Sequence, residues 1–398
     1  MSSTQSKFPF ASREDWHALV SAALKGGDPQ SLDRLDEDGL AIKALYNIAS
    51  YAAASPDACA ITRLPVNPAS HIAHGWDICQ PVMANGSAKE VNRLILDELQ
   101  DGVGTIWLQG LQTADLAGQL PAMMQDVVFA AAGIHLDAGN DVMAQIAAFA
   151  GFAKKADTNL AASRFHANID PFAPAADADL LASALAYFMS ADAGDVPPDM
   201  FRAQGWQWHN QGMTAVQELA YILASLTEIL RQGMARNIDP AHLAKHMSAS
   251  LALPADLFEG IAKCRALRRG WGAIVSALGL DPDAHRLCIH GAVSIRMFST
   301  VDSEVNMLRT TTALLGGAIG GADQLSAHAH NCLTGDDFLG RRLARMQQHL
   351  LIDESGLSRS LDPAGGAGFI EDRTDQLGLA AWSAFQQIEA DGGAIAAH

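Results

Sequence analysis

Gly75-Trp76-Asp77-Ile78-Cys79-Gln80-Pro81-Val82 opens the part of the chain whose reading decides the fold. It is a short apolar run of strand length, and the chain leaves it at Met83 with no GxGxxG turn. That glycine fingerprint normally follows the first strand of a doubly wound open sheet, so its absence favours a closed barrel over an open sheet. Seven further runs of the same kind follow: Gly102–Gly110, Ala131–Ala138, Ser163–Pro171, Phe201–Asn210, Leu243–Leu253, His285–Val293 and Gln324–Asn331. Amphipathic stretches separate them, and this alternation is the signature of βα units and a parallel sheet. Eight strands in this span predict an α/β fold, a (β/α)8 TIM barrel over residues 71–398 with C-terminal helices, preceded by an N-terminal extension, 1–70.

The helices between the strands carry their own marks. Leu219, Ile222, Leu223, Leu226, Ile229 and Leu230 fall on one helical face, and Thr214 and Gln217 have capping-box spacing at its start. Leu339, Leu343, Met346 and Leu350 stripe the helix after the eighth strand. In the extension, Trp16, Leu19 and Val20 have helical spacing, and the segment from Pro65 to Ser70 reads as a linking loop.

Composition narrows the function classes. The chain has 398 residues, 49% of them hydrophobic, which is enough for a large core and argues against disorder. Its 27 basic and 44 acidic residues give a net charge of −17, which repels phosphate backbones and anionic lipid, so neither nucleic acid nor a membrane surface is an expected partner. Met1 to Trp16 holds no signal-peptide h-region, and no uninterrupted apolar stretch is of spanning length. The five cysteines, Cys59, Cys79, Cys264, Cys288 and Cys332, are odd in number, scattered and without a CxxC pair. Free thiols in a cytoplasmic protein are the expectation.

Several segments, in one order along the chain, resemble the methylmalonyl-CoA mutase family. The clearest is Asn306-Met307-Leu308-Arg309-Thr310-Thr311-Thr312 running on to Gly320-Gly321-Ala322-Asp323. Others are Arg341-Arg342-Leu343-Ala344-Arg345, Asp353-Glu354-Ser355, Asp362-Pro363-Ala364-Gly365-Gly366, Ala381-Trp382 and Gln217-Glu218-Leu219-Ala220-Tyr221. The resemblance implies a barrel that threads an acyl-CoA along its axis, while a separate domain carries adenosylcobalamin for the radical interconversion of succinyl-CoA and methylmalonyl-CoA.

The same resemblance makes the departures legible. Where active members carry Thr-Ile-Arg-Gln-Tyr on the first strand, this chain has Asp77-Ile78-Cys79-Gln80-Pro81. Their Gly-Tyr-His on the fifth strand corresponds to Gly205-Trp206-Gln207, while Trp208-His209-Asn210 resembles the Tyr-His pair of the silent small subunit. Their Arg-Thr-His-Cys-Gln-Thr corresponds to Cys288-Ile289-His290-Gly291-Ala292-Val293, and their Gln-Asn-Asp to Asn168-Ile169-Asp170. No catalytic residue is therefore assigned: Pro81, Gln207, Cys288 and Ala292 stand at family positions whose side chains they cannot replace. The family's lower-ligand motif, Asp-x-His-x-x-Gly, is approached only by Asp283-Ala284-His285-Arg286-Leu287-Cys288, which lacks the glycine. No cobalamin-binding domain and no cofactor are expected on this chain, and adenosylcobalamin is expected on a partner.

A residual pocket would draw on Gln80, Asn168, Trp206, His209, His290, His328 and His330 at the C-terminal ends of the strands. The plainer reading is that these polar residues fill a barrel that no longer takes substrate. A metal reading puts His328 and His330 on one face of the eighth strand beside His290, but no acidic residue accompanies them. Trp206 and Trp208 alternate on the fifth strand as read here, sharing a face opposite Gln207 and plugging the site if they point inward. Lys263, Arg268 and Arg269 read as a solvated basic helix face.

Two functions remain open. The leading one is a small-subunit-like structural partner of a catalytic mutase chain, as a heterodimer, with the extension 1–70 contacting the partner. A free-standing homodimer is the variant of that reading. The alternative is an enzyme of the isomerase class: the substrate-binding chain of a split acyl-CoA mutase whose cobalamin domain is on another polypeptide.

Overall fold

The computed structural model describes residues 11–46, 75–137, 141–174, 176–335 and 337–397. The chain divides into two compact units, Met1–Ala54 and Ser55–His398. The boundary expected near residue 70 lies outside the described residues.

In the first unit, helix α1 (Arg13–Ala23) starts at a capping box in which Ser12 and Asp15 satisfy each other's backbone N–H groups. A short antiparallel pair follows, β1 (Arg34–Leu35) and β2 (Ala41–Ile42).

The second unit is the barrel. Its strands are β3 (Asp77–Met83), β4 (Thr105–Gln109), β5 (Gly133–Leu136), β6 (Phe165–Ile169), β7 (Asp199–Gln204), β8 (Met247–Leu253), β9 (Cys288–Val293) and β10 (Gln324–Ser326). All eight pair in parallel and the ring closes where β10 meets β3, with Gln324 opposite Asp77. The eightfold apolar rhythm is thus a closed (β/α)8 barrel. Among the described residues, no helix is long and apolar enough to cross a membrane.

The helices that matter for the site are α2 (Ala88–Gln100) after β3, α6 (Gly205–Asn210) directly after β7, and α7 (Ala215–Ala235). The others are α9 (Leu257–Ala277) after β8, α10 (Val305–Gly320) after β9, and α11 (Phe338–His349) after β10. In chain order α3 is Leu116–Met123, α4 Val142–Lys155, α5 Leu180–Ser190, α8 Pro240–Ala244 and α12 Gly368–Ala390. Thr214 and Gln217 form the capping box of α7, and its apolar stripe is buried. Gly316 lets α9 and α10 lie backbone to backbone: a Cβ there would sit 3.0 Å from the Leu257 carbonyl oxygen.

Three sequence expectations are corrected. The fifth strand stops at Gln204, and residues 205–210 turn into α6. Trp206 and Trp208 are therefore about 200° apart around a helix and do not share a strand face. The eighth strand stops at Ser326, so His328 and His330 lie in the loop beyond it. The basic residues of α9 are not a solvated face. Lys263 is fully buried on Glu218, Arg268 pairs with Asp323, and Arg269 pairs with Glu371 and Asp375. Each cation is matched by a carboxylate on a neighbouring segment, which is what makes burial tolerable.

Candidate functional site

Barrel enzymes place their chemistry at the C-terminal ends of the strands, with the axis below supplying either a channel or a packed floor. Here the axis is packed, by two different kinds of contact.

The N-terminal half is polar and joined by hydrogen bonds. Arg202, buried on β7, donates to Asp199 Oδ2 at 2.7 Å, to Ser248 Oγ at 2.9 Å and to His135 Nδ1 at 3.0 Å. Because Nδ1 of His135 accepts, that ring is neutral with its proton on Nε2. Burial, then His166 and Arg202, hold its pKa well below the usual value, as does burial with Arg202 at His290. His290 Nε2 lies 2.6 Å from Ser326 Oγ, and His166 Nδ1 lies 3.0 Å from Asp199 Oδ2. Burial alone would raise the Asp199 pKa, but Arg202 and His166 outweigh it and hold the carboxyl below its ordinary range. One layer lower, Asp77 takes Thr105 Oγ1 at 2.5 Å and an ion pair from Arg164.

The C-terminal half is apolar. Cys79, Trp107, Trp206, Ala252 and Ala292 form one buried cluster drawn from β3, β4, α6, β8 and β9. Trp107 and Trp206 meet edge to face with ring centres 5.1 Å apart, and Trp107 meets His290 the same way at 5.4 Å. The Trp206 indole N–H donates to Gln204 Oε1 at 3.1 Å, which fixes the ring. Trp107 on β4 thus reaches residues from the far side of the ring, and the indole pair lies across the barrel interior. Burial pushes the Cys79 thiol up to about 12 and that of Cys288 well above its usual value, so neither is a nucleophile at neutral pH.

The proposed pocket residues separate into groups. Trp206, His290 and His328 gather around Trp107, the last with ring centres 6.0 Å apart. Burial lowers the His328 pKa to about 4. Gln80 alternates with Cys79 along β3 and so lies on the strand face turned away from the axis. Asn168 adopts a left-handed backbone, φ 56°, where the β6–β7 register shifts, and its amide donates to the Leu136 carbonyl at 2.9 Å. His209 stands apart, its Nδ1 3.3 Å from Glu218 Oε2. Glu218 in turn accepts from Lys263 at 2.5 Å and from the Ala252 N–H at 2.6 Å, so this group clamps the end of β8. His330 is partly exposed, and its carbonyl accepts from Asn306 at 2.9 Å.

Several residues that shape the interior escape a reading of the sequence. Arg202, His135, His166 and Asp199 are polar residues inside apolar strands, and that interruption was the available signal. Asp170, the last residue of the Asn168-Ile169-Asp170 match, accepts from the Gln204 N–H at 2.6 Å and from the Tyr221 hydroxyl at 2.8 Å. It ties β6, β7 and α7 together at the mouth.

The residues here do not fit a cobalamin lower ligand. His285 lies in the turn before β9, at the N-terminal end of the barrel, with Nδ1 3.0 Å from the Asp281 carbonyl. Among the described residues, no group of three or more His, Cys, Asp or Glu is arranged to hold a metal ion.

Comparison with known proteins places this barrel. A sequence model of the family described as methylmalonyl-CoA mutase matches residues 169–398. The probable methylmalonyl-CoA mutase small subunit of Mycobacterium tuberculosis strain H37Rv is 32% identical, over 95% of this chain and 63% of that protein. The methylmalonyl-CoA mutase small subunit of Streptomyces virginiae is 31% identical, over 99% of this chain and 66% of that one. The methylmalonyl-CoA mutase of Escherichia coli K12 is 32% identical, over 48% of this chain and 27% of its own length. The chain thus spans just under two thirds of the length of the small subunits it matches. With a closed parallel barrel and similarity along nearly its whole length, the chain belongs to the methylmalonyl-CoA mutase family.

Proposed function

We propose that this chain is a catalytically silent structural partner of an adenosylcobalamin-dependent mutase that interconverts succinyl-CoA and methylmalonyl-CoA. The observation that carries this reading is the buried Trp107–Trp206 pair, which fills barrel interior beside the Arg202 network. A pantetheine arm needs a continuous channel, and buried indoles and a fully bonded guanidinium yield one only by breaking contacts worth several kcal/mol, on the order of 3–5 each. The replacements at Pro81, Cys288 and Ala292 support the same conclusion, since none offers hydrogen bonds comparable to those of the tyrosine, arginine and glutamine that the family resemblance puts there.

In this reading the cofactor and the radical chemistry belong to the partner, and residues 1–70 help to hold it. This chain contributes binding free energy to the folded state of the complex. The test is to assay the chain with succinyl-CoA and adenosylcobalamin, alone and with the catalytic large chain of the same organism. Alone it should be inactive; with the large chain it should raise that chain's melting temperature. Turnover by this chain with a cobalamin-domain protein that has no barrel of its own would overturn the reading in favour of a split enzyme.

A further inference from the structure

A groove on the N-terminal face of the barrel lies apart from the interior described above. It opens between α2 and the turns that lead into β4, β5 and β6. Its volume of about 420 Å³ is in the range of small-molecule sites. Leu96 and Leu99 of α2, with Val103, Val128, Ala131 and Ala132, make its walls, so they suit an apolar body. The polar side chains that line it are Arg164, Gln100 and Asp126.

Arg164 is built into the wall. Its side chain is 14% exposed, while Gln100 and Asp126 are exposed at the rim. Arg164 Nη1 donates to the carbonyls of Gly104 at 3.1 Å and Ala131 at 3.4 Å, and both of these residues line the groove. Nη2 pairs with Asp77 and donates to Thr105 Oγ1 at 3.2 Å. These contacts use the N–H groups of both terminal nitrogens. The Nε–H is left over, with no partner among the described residues. The guanidinium is thus fixed in place and brings one unspent donor to an apolar groove.

Charge selects the head group of the occupant. Asp77 neutralises Arg164 and Asp126 adds a carboxylate at the rim, so a carboxylate or phosphate would meet a net negative setting on a chain of net charge −17. An ammonium would be set against a guanidinium that can only donate. A neutral carbonyl accepts the Nε–H without adding a charge, and an amide N–H₂ beside it suits Gln100, whose side chain both donates and accepts. We infer that this groove binds a small neutral carboxamide with an aryl or branched alkyl body.

Benzamide, benzoate and benzylammonium share one ring and differ in the charge of the head. Their affinities for the purified full chain are measured by calorimetric or NMR titration at neutral pH. Arg164→Lys keeps a cation for Asp77 but lacks the Nε–H. Val128→Trp adds bulk to the groove wall at a position 67% exposed, so its melting temperature should match the wild type. Benzamide should bind at least about tenfold more tightly than either ion, and each variant should weaken it at least about tenfold, the effect of losing one charge-assisted hydrogen bond. If Arg164→Lys melts well below the wild type, Val128→Trp decides. Absence of benzamide binding at millimolar concentration overturns the inference, and so does tighter binding of either ion. Equal affinity for all three probes reduces the groove to an unselective apolar surface and also overturns it. Full-strength benzamide binding by Val128→Trp, or by a folded Arg164→Lys, places the probe elsewhere and has the same consequence. The catalytic large chain takes no part in this experiment, so its outcome is independent of the proposed function.

Discussion

The two halves of the barrel interior fill the same axis by different physics. Toward the N-terminal end, Arg202 is held by Asp199, Ser248 and His135, and the packing is a set of directional bonds among charged and polar groups. Toward the C-terminal end, Trp107 and Trp206 pack with Cys79, Ala252 and Ala292, mainly through contacts between rings and small apolar side chains. In the first half the cost of a change is an orphaned charge, and in the second it is an empty volume. The two should therefore respond differently to substitution, to pH and to added small molecules.

The largest effect is expected at Arg202. Arg202→Ala leaves Asp199 buried without its guanidinium and should cost about 3–5 kcal/mol in urea denaturation, enough to leave a marginal protein unfolded. A loss below about 1 kcal/mol would mean that the polar half is a passive filling. Trp206→Ala should cost about 3 kcal/mol by opening a void beside Trp107. Unlike the first variant, it should be partly rescued by millimolar indole, seen as a recovered melting temperature. Equal rescue of both variants, or of neither, would erase the contrast between the halves.

The pH dependence sharpens the comparison further. His328, lowered by burial from 6.5 to about 4, takes up a proton more readily when the chain unfolds. Its contribution to stability is therefore present above pH 6.5 and is lost as pH falls toward about 4. Each such histidine adds a slope of about 1.4 kcal/mol per pH unit within its window. His135 and His290 act with the same sign. Asp199, whose carboxyl is held low, gives stability that is lost only below the ordinary carboxylate range of about 3.9, so it does not offset them between pH 6.5 and 4. Denaturation at pH 7.5, 6.0 and 5.0 should show stability falling with pH, and His328→Asn should make the fall shallower by one proton. An unchanged slope in the variant would show that His328 is not held neutral.

The smallest effect is expected where function would be restored. The combined Pro81→Tyr, Gln207→His, Cys288→Arg and Ala292→Gln variant should show no mutase turnover as an isolated chain. Gln207 lies on the helical turn of α6 and not on a strand, and Ala292 sits in the apolar cluster, where a glutamine would be overpacked. Radioactive or coupled assay with succinyl-CoA and adenosylcobalamin checks this, and any turnover above background would count against the silent-partner reading.

The sequence by itself determined the order of the elements. Strand-length apolar runs and helical stripes are local patterns, so eight βα units, the Thr214–Gln217 cap and the family resemblance could all be read from it. Which side chains fill the axis was decided only by the tertiary structure, because a strand that ends at Gln204 instead of Asn210 reassigns Trp206, Gln207 and Trp208 to a helix. Lys263, Arg268 and Arg269 looked like a solvated face because their partners Glu218, Asp323, Glu371 and Asp375 are far away in sequence. The stripe on α11 is the clearest case. Its spacing is legible from residues 339–350 alone, but whether it faces the barrel or solvent depends on Glu98, Asp101 and Trp76, which bind the opposite face and turn the leucines outward. Periodicity fixes which residues share a face, and only long-range pairing fixes where that face points.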